Sequence, residues 1–193
     1  MTNGIPILRN YDTPQNIMGD SMNSNVQSVY REGEIISVEV LVTTHHKGHF
    51  IFSICPINSA DTVPMEIPTE ECFANNQLTF IEDELYNAPI DTQYPKRAYI
   101  APATHAHWTN GAPGEQPVVG AEYKMKFKLP DGVFGNVVLL QWYYLTANSC
   151  KHEGYANYTF PEEWGNEVFD AGLPDCGDIP KDGNGVPEQV RNY

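Results

Sequence analysis

The sequence predicts an all-β fold, an immunoglobulin-like, fibronectin III-like antiparallel β-sandwich with long loops. Three observations carry that reading. Residues 34–43 place Ile36, Val38, Val40 and Val42 on one face, and residues 121–129 place Tyr123, Met125, Phe127 and Leu129 on one face with Lys124, Lys126 and Lys128 on the other; this is the period of two of a half-buried strand. No long segment carries the 3.6-residue period of an amphipathic helix. Proline recurs at 64, 68, 89, 95, 102, 113 and 117, so residues 58–119 read as a long connecting region, a length that in a compact domain carries function or is pinned down.

Taken in order, residues 1–25 are rich in Asn, Pro, Ser and Met without periodicity and read as an irregular arm. Residues 26–30 are expected to form a short strand and 31–34 a turn. The strand at 34–43 follows, then a connection, then a strand in which Phe50, Phe52 and Ile54 restart the alternation. One short helix is expected within 70–85. Pro130-Asp131-Gly132 closes the lysine-faced strand with turn chemistry. The run V-V-L-L-Q-W-Y-Y-L within 136–146 reads as a strand buried on both faces, and the tail from Cys150 is loop-rich. Val38, Val40, Phe52, Phe127, Leu139 and Trp142 are expected in one core.

At 193 residues the chain suits one domain, 1–193, with a real core. Eleven Lys and Arg against 25 Asp and Glu leave a net charge of -14, which argues against nucleic acid and anionic membranes as partners. No apolar run is long enough to span a bilayer, and residues 1–8 lack the basic region and apolar core of a signal peptide. The four cysteines have no C-x-x-C spacing, so they read as disulfides rather than a zinc or redox motif. Of three possible pairings, Cys55–Cys72 and Cys150–Cys176 are favoured, each stapling a loop to a strand end. Asn157-Tyr158-Thr159 is a glycosylation sequon, with Asn157 the acceptor. Disulfides and sequon together point to an oxidising compartment and a secreted protein. The chain as it stands is expected to be a fragment, or a mature region with an added Met1.

Chemistry concentrates between the first two strands. His45, His46 and His49 fall within five residues, beside Lys47 and Gly48, and Gly48 can adopt the positive φ of a tight reversal. Neutral imidazoles on a rigid turn suit copper, zinc or iron; spacing alone does not choose the metal, and a solvated polar turn is the competing reading. His105 and His107, flanking Ala106 before Trp108, could join a second metal site or a glycan-facing patch, but a solvated loop is the preferred reading. Asp182-Gly183-Asn184-Gly185 lacks the spacing and closing Glu of a calcium loop. No P-loop or G-x-S-x-G motif is present.

Several of these pieces coincide with one family. T-T-H-H-K-G-H-F-I-F-S-I-C-P (43–56), E-C-F (71–73), L-L-Q-W-Y-Y-L-T-A-N-S-C (139–150) and G-N-G-V-P-E-Q (183–189) resemble copper-dependent lytic polysaccharide monooxygenases, in particular the chitin-active bacterial type and its insect and viral-spindle relatives, formerly chitin-binding type-4 domains. Order and spacing agree over roughly residues 25–190. The pair H-x-G-x-F-x-F-x-x-C-P and L-Q-W-x-Y-x-x-x-N-S is specific in combination.

The resemblance implies an immunoglobulin-like sandwich with one copper on a flat face, held by a first-residue histidine and one internal histidine. It assigns His46 as the internal copper ligand and hence the catalytic metal residue, with His45 and His49 as neighbours. The implied activity is oxidative cleavage of glycosidic bonds in a crystalline polysaccharide such as chitin or cellulose, by a secreted monomer acting on the polysaccharide surface. The sequence also departs from the pattern. Residue 1 is Met, the C-G-x-C-G-D opening is absent, Val190 stands near the axial aromatic position, and the chain stops at Tyr193, so the domain is expected to be incomplete at both ends and this polypeptide inactive by itself. A non-catalytic carbohydrate-binding module on the same sandwich is the alternative, and an extracellular structural sandwich a third.

Overall fold

The computed structural model describes residues 28–57, 68–109, 119–135, 137–165, 167–168, 172–176 and 189–192. In chain order the elements are β1 (Ile35–Val42), β2 (His49–Ile57), α1 (Glu70–Asn75), β3 (Thr79–Asp83), β4 (Ala98–Tyr99), β5 (Trp108–Thr109), β6 (Gly120–Lys128), β7 (Val137–Leu145), a single 3-10 turn (Glu162–Trp164) and β8 (Gln189–Asn192). The arm at 1–25 and the G-N-G-V-P-E segment at 183–188 lie outside the described residues.

The strands form two antiparallel sheets. In the first, β1 pairs along one edge of β6, from Ile35↔Lys128 to Val42↔Ala121. β3 and β5 share the opposite edge of β6, β3 against its C-terminal half and β5 against Gly120 and Ala121. The second sheet has the order β4-β2-β7-β8, with β2 and β7 in unbroken register from His49↔Leu145 to Ile57↔Val137.

The alternation read from the sequence explains why these sheets face each other. In β6, Tyr123, Met125 and Phe127 are buried while the lysines between them reach outward. There Lys124 meets Glu39 at 3.2 Å and Lys126 meets Glu82 at 2.7 Å, exposed pairs that solvent screens and that contribute little to stability. On the inner side, the Phe52 and Phe127 rings meet at 4.7 Å and those of Phe50 and Tyr123 at 5.6 Å, closing the gap between sheets. The fold is an antiparallel β-sandwich.

Three expectations need correction. Leu139 does not share the core of Trp142: the two are three residues apart, so a strand turns them to opposite faces. Leu139 instead joins Cys55 and Phe73 beneath α1, on the outer face of the second sheet. Ser28–Tyr30 is in no strand, while 26 and 27 lie outside the described residues. The third concerns the long proline-rich run, which holds more structure than its patterning shows. It contains α1, capped by the Thr69 hydroxyl accepting from Cys72 N–H, together with β3, β4 and β5. Two buried carboxylates organise its turns: Asp83 accepts from the amides of Leu85, Tyr86 and Ala88, and Asp91 accepts from those of Gln93 and Tyr94 and from the Tyr99 hydroxyl. Side chains replace ladder hydrogen bonds here.

Two disulfides join Cys55 to Cys72 and Cys150 to Cys176. The first ties β2 to α1; the second ties the segment after β7 to the tail.

Candidate metal centre

β1 lies in the first sheet and β2 in the second, so the histidine-bearing connection at 43–48 crosses between sheets at one end of the sandwich. The tight reversal within one sheet expected from the sequence is not formed, because the apolar faces of β1 and β2 meet across the core rather than side by side. Two successive left-handed residues, Lys47 (φ 57) and Gly48 (φ 101), make the crossing.

His46 sits on this connection, half-buried, and its backbone is held on every side by the end of β7. Its N–H donates to the Tyr144 hydroxyl at 2.9 Å, and its carbonyl accepts from Ala147 N–H at 3.0 Å. The Tyr144 hydroxyl in turn donates to the Lys47 carbonyl at 2.7 Å. The Asn148 carboxamide lies 3.1 Å from His46 Nδ1. None of these three partners was singled out from the sequence as part of a site; the only signal was their place in the L-Q-W-x-Y-x-x-x-N-S segment, where Tyr144 reads as core packing.

The neighbouring histidines have other work. His45 Nδ1 accepts the Lys47 amide at 3.1 Å, which leaves the proton on Nε2 to donate to the Ala101 carbonyl at 2.9 Å, with the Tyr123 hydroxyl at 2.8 Å. Both ring nitrogens are thereby engaged in bracing the connection against the first sheet. His49 opens β2 and is 1% exposed, with Nδ1 2.6 Å from the Tyr155 hydroxyl. His152 packs edge-on against it at 5.1 Å and donates from Nε2 to the Thr146 carbonyl. His105 and His107 lie apart from this group, against Tyr86. Trp108 is 47% exposed beside them, its indole N–H donating to the Ala103 carbonyl.

Burial pulls the affinity of His49 for a proton well below that of a free imidazole, and burial does the same more mildly to His152, with Arg97 opposing protonation of both. The unfolded chain therefore takes up protons near pH 6.5 that the folded chain refuses, so stability is full above that pH and is lost as pH falls below it. Urea unfolding at pH 7.5 and pH 5.0 is expected to show a lower midpoint at pH 5.0, and His152→Gln to reduce that drop. Equal midpoints at the two pH values would refute a neutral buried pair.

Residues 9–166 match the family described as lytic polysaccharide mono-oxygenase, cellulose-degrading. The chain belongs to that family. A solved structure of the lytic polysaccharide monooxygenase AA15 from Thermobia domestica in the Cu(I) state aligns at 25% identity, covering 84% of this chain and 57% of that one, with a TM-score of 0.46. The chain thus spans little more than half the length of that protein. No curated relative matches it.

Lytic polysaccharide monooxygenases depend on copper, and the donor chemistry here suits one position of a copper centre: a half-buried imidazole on a braced backbone. Among the described residues, no three His, Cys, Asp or Glu side chains gather into a group that could hold a metal ion.

Proposed function

We propose that this domain serves copper-dependent oxidative cleavage of glycosidic bonds in a crystalline polysaccharide, chitin or cellulose, with His46 as a copper ligand. The observation that supports this best is the presentation of His46, whose N–H is held by the Tyr144 hydroxyl and whose carbonyl is held by Ala147 N–H at the end of the sandwich. Copper, when bound, would supply the one-electron redox chemistry. The protein's part is to hold the imidazole in a fixed pose and to present it at the end of the sandwich to a polysaccharide surface. Family membership and the two disulfides support a secreted protein. Asn157, exposed in the turn after Gly154, is accessible as the glycan acceptor of its sequon.

Copper(II) titration by calorimetry tests the ligand, comparing the chain with His46→Ala. A loss of at least about tenfold in affinity, roughly 1.4 kcal/mol, is expected on removing the imidazole. Mass spectrometry of the soluble products from chitin and from cellulose, with a reductant present, tests the reaction and identifies the substrate. If His46→Ala binds copper as tightly as the parent chain, His46 is not a copper ligand and the non-catalytic binding module replaces the enzyme.

A further inference from the structure

We propose that Tyr144 is a positioning residue for His46, its single hydroxyl setting the pose in which the imidazole is presented; this rests on reading His46 as a metal ligand. The hydroxyl accepts the His46 N–H at 2.9 Å and donates to the Lys47 carbonyl at 2.7 Å, so one oxygen uses both of its hydrogen-bonding roles to span the residue. A left-handed Lys47 is disfavoured for any residue with a Cβ, and the conformation persists only where its surroundings enforce it. The bond to the Lys47 carbonyl, together with that from Lys47 N–H to His45, does so.

Tyr144 can act as a fixed point because it does not move itself. It is 3% exposed, with its ring edge-on to Phe50 at 5.3 Å and stacked with Trp142 at 6.1 Å. It also stands opposite Phe50 in the β2–β7 register, so β7 carries the clamp and β2 leads directly out of the clamped connection. The pose of His46 is thus tied to a pairing that runs in unbroken register from His49↔Leu145 to Ile57↔Val137. Groups that orient a metal ligand in this way commonly change metal affinity by about 10–100-fold when removed.

The test uses Tyr144→Phe, which keeps the ring and deletes the oxygen. Tyr158→Phe serves as the comparison, since it deletes a hydroxyl that donates to the Pro89 carbonyl at 2.6 Å and has no bond to His46. Two readouts use the metal-free chain: hydrogen exchange at the His46 amide, and the three-bond couplings that report its χ1 rotamer. The third is copper(II) affinity by titration. In Tyr144→Phe the His46 amide should exchange at least about tenfold faster, its χ1 couplings should average, and copper affinity should fall about tenfold or more. Tyr158→Phe should leave all three at parental values. If Tyr144→Phe leaves exchange and couplings unchanged, or if Tyr158→Phe moves them equally, the assignment is overturned. If both metal-free readouts move as expected while neither Tyr144→Phe nor His46→Ala alters copper binding, the positioning stands and the copper reading falls.

Discussion

Gly48→Ala is expected to destabilise the fold by about 2–5 kcal/mol and to abolish His46-dependent copper binding with it. Gly48 has φ 101, and a Cβ built there would lie 2.0 Å from the Leu145 carbonyl oxygen, with the Leu145 carbonyl carbon and Thr146 Cα at 3.0 Å. A left-handed residue with a side chain costs about 1–2 kcal/mol, and forcing atoms into a packed site typically adds another 1–3 kcal/mol, roughly. Relief is blocked because the obstructing atoms are backbone. Leu145 is locked opposite His49 by the β2–β7 ladder, and the adjacent Ala147 amide holds His46. Urea unfolding of the variant measures the first effect and copper titration the second. An unfolding midpoint equal to the parent's would show that the crossing can open without cost, and that the clamp on His46 is not rigid.

Reducing both disulfides is expected to cost more. Cys55 and Cys72 are separated by 17 residues and Cys150 and Cys176 by 26. On the loop-entropy account these closures contribute about 3 and about 3.5 kcal/mol. Together that rivals the whole stability of a typical domain, about 5–15 kcal/mol, so the reduced chain should be largely unfolded near 37 °C. The losses should also be local in character. Without Cys55–Cys72, α1 loses its covalent tie to β2; without Cys150–Cys176, the segment carrying Ala147 and Asn148 loses its anchor beside His46. Thermal unfolding with and without reductant, alongside Cys→Ser replacement of each pair in turn, separates the two. A melting temperature unchanged after complete reduction, verified by thiol titration, would remove the stapling role and the main physical support for a secreted protein.

Much of the architecture was legible in the sequence because a strand with one buried face must alternate. Ile36 to Val42, Phe50 to Ile54 and Tyr123 to Leu129 declared their inward faces, and the lysines of β6 declared the outward one. The antiparallel sandwich follows from such faces having to cover one another. The histidine-bearing connection at 43–48 was also legible, through the order of residues around K-G-H-F. What the sequence could not express is which faces meet across space. Alternation states that β1 and β2 each have an apolar side, but not that the chain crosses between sheets at 43–48, which depends on β6 and β7 being the better hydrogen-bonding partners. The same limit hid the organisation of the proline-rich run, where buried Asp83 and Asp91 gather amides from nearby turns and leave no periodic trace. It also divided the histidines by role. His45, His46 and His49 look alike as a cluster, and only the folded chain brings Tyr123 and Ala101 to the first, Tyr144 and Asn148 to the second, and Tyr155 and His152 to the third. These partners lie between 56 and 106 residues away in sequence. Residue type and spacing therefore decided that imidazoles would gather at this end of the sandwich. Tertiary packing decided which hydrogen-bonding groups each imidazole meets, because a ring nitrogen's chemistry is set by whatever group the fold places against it.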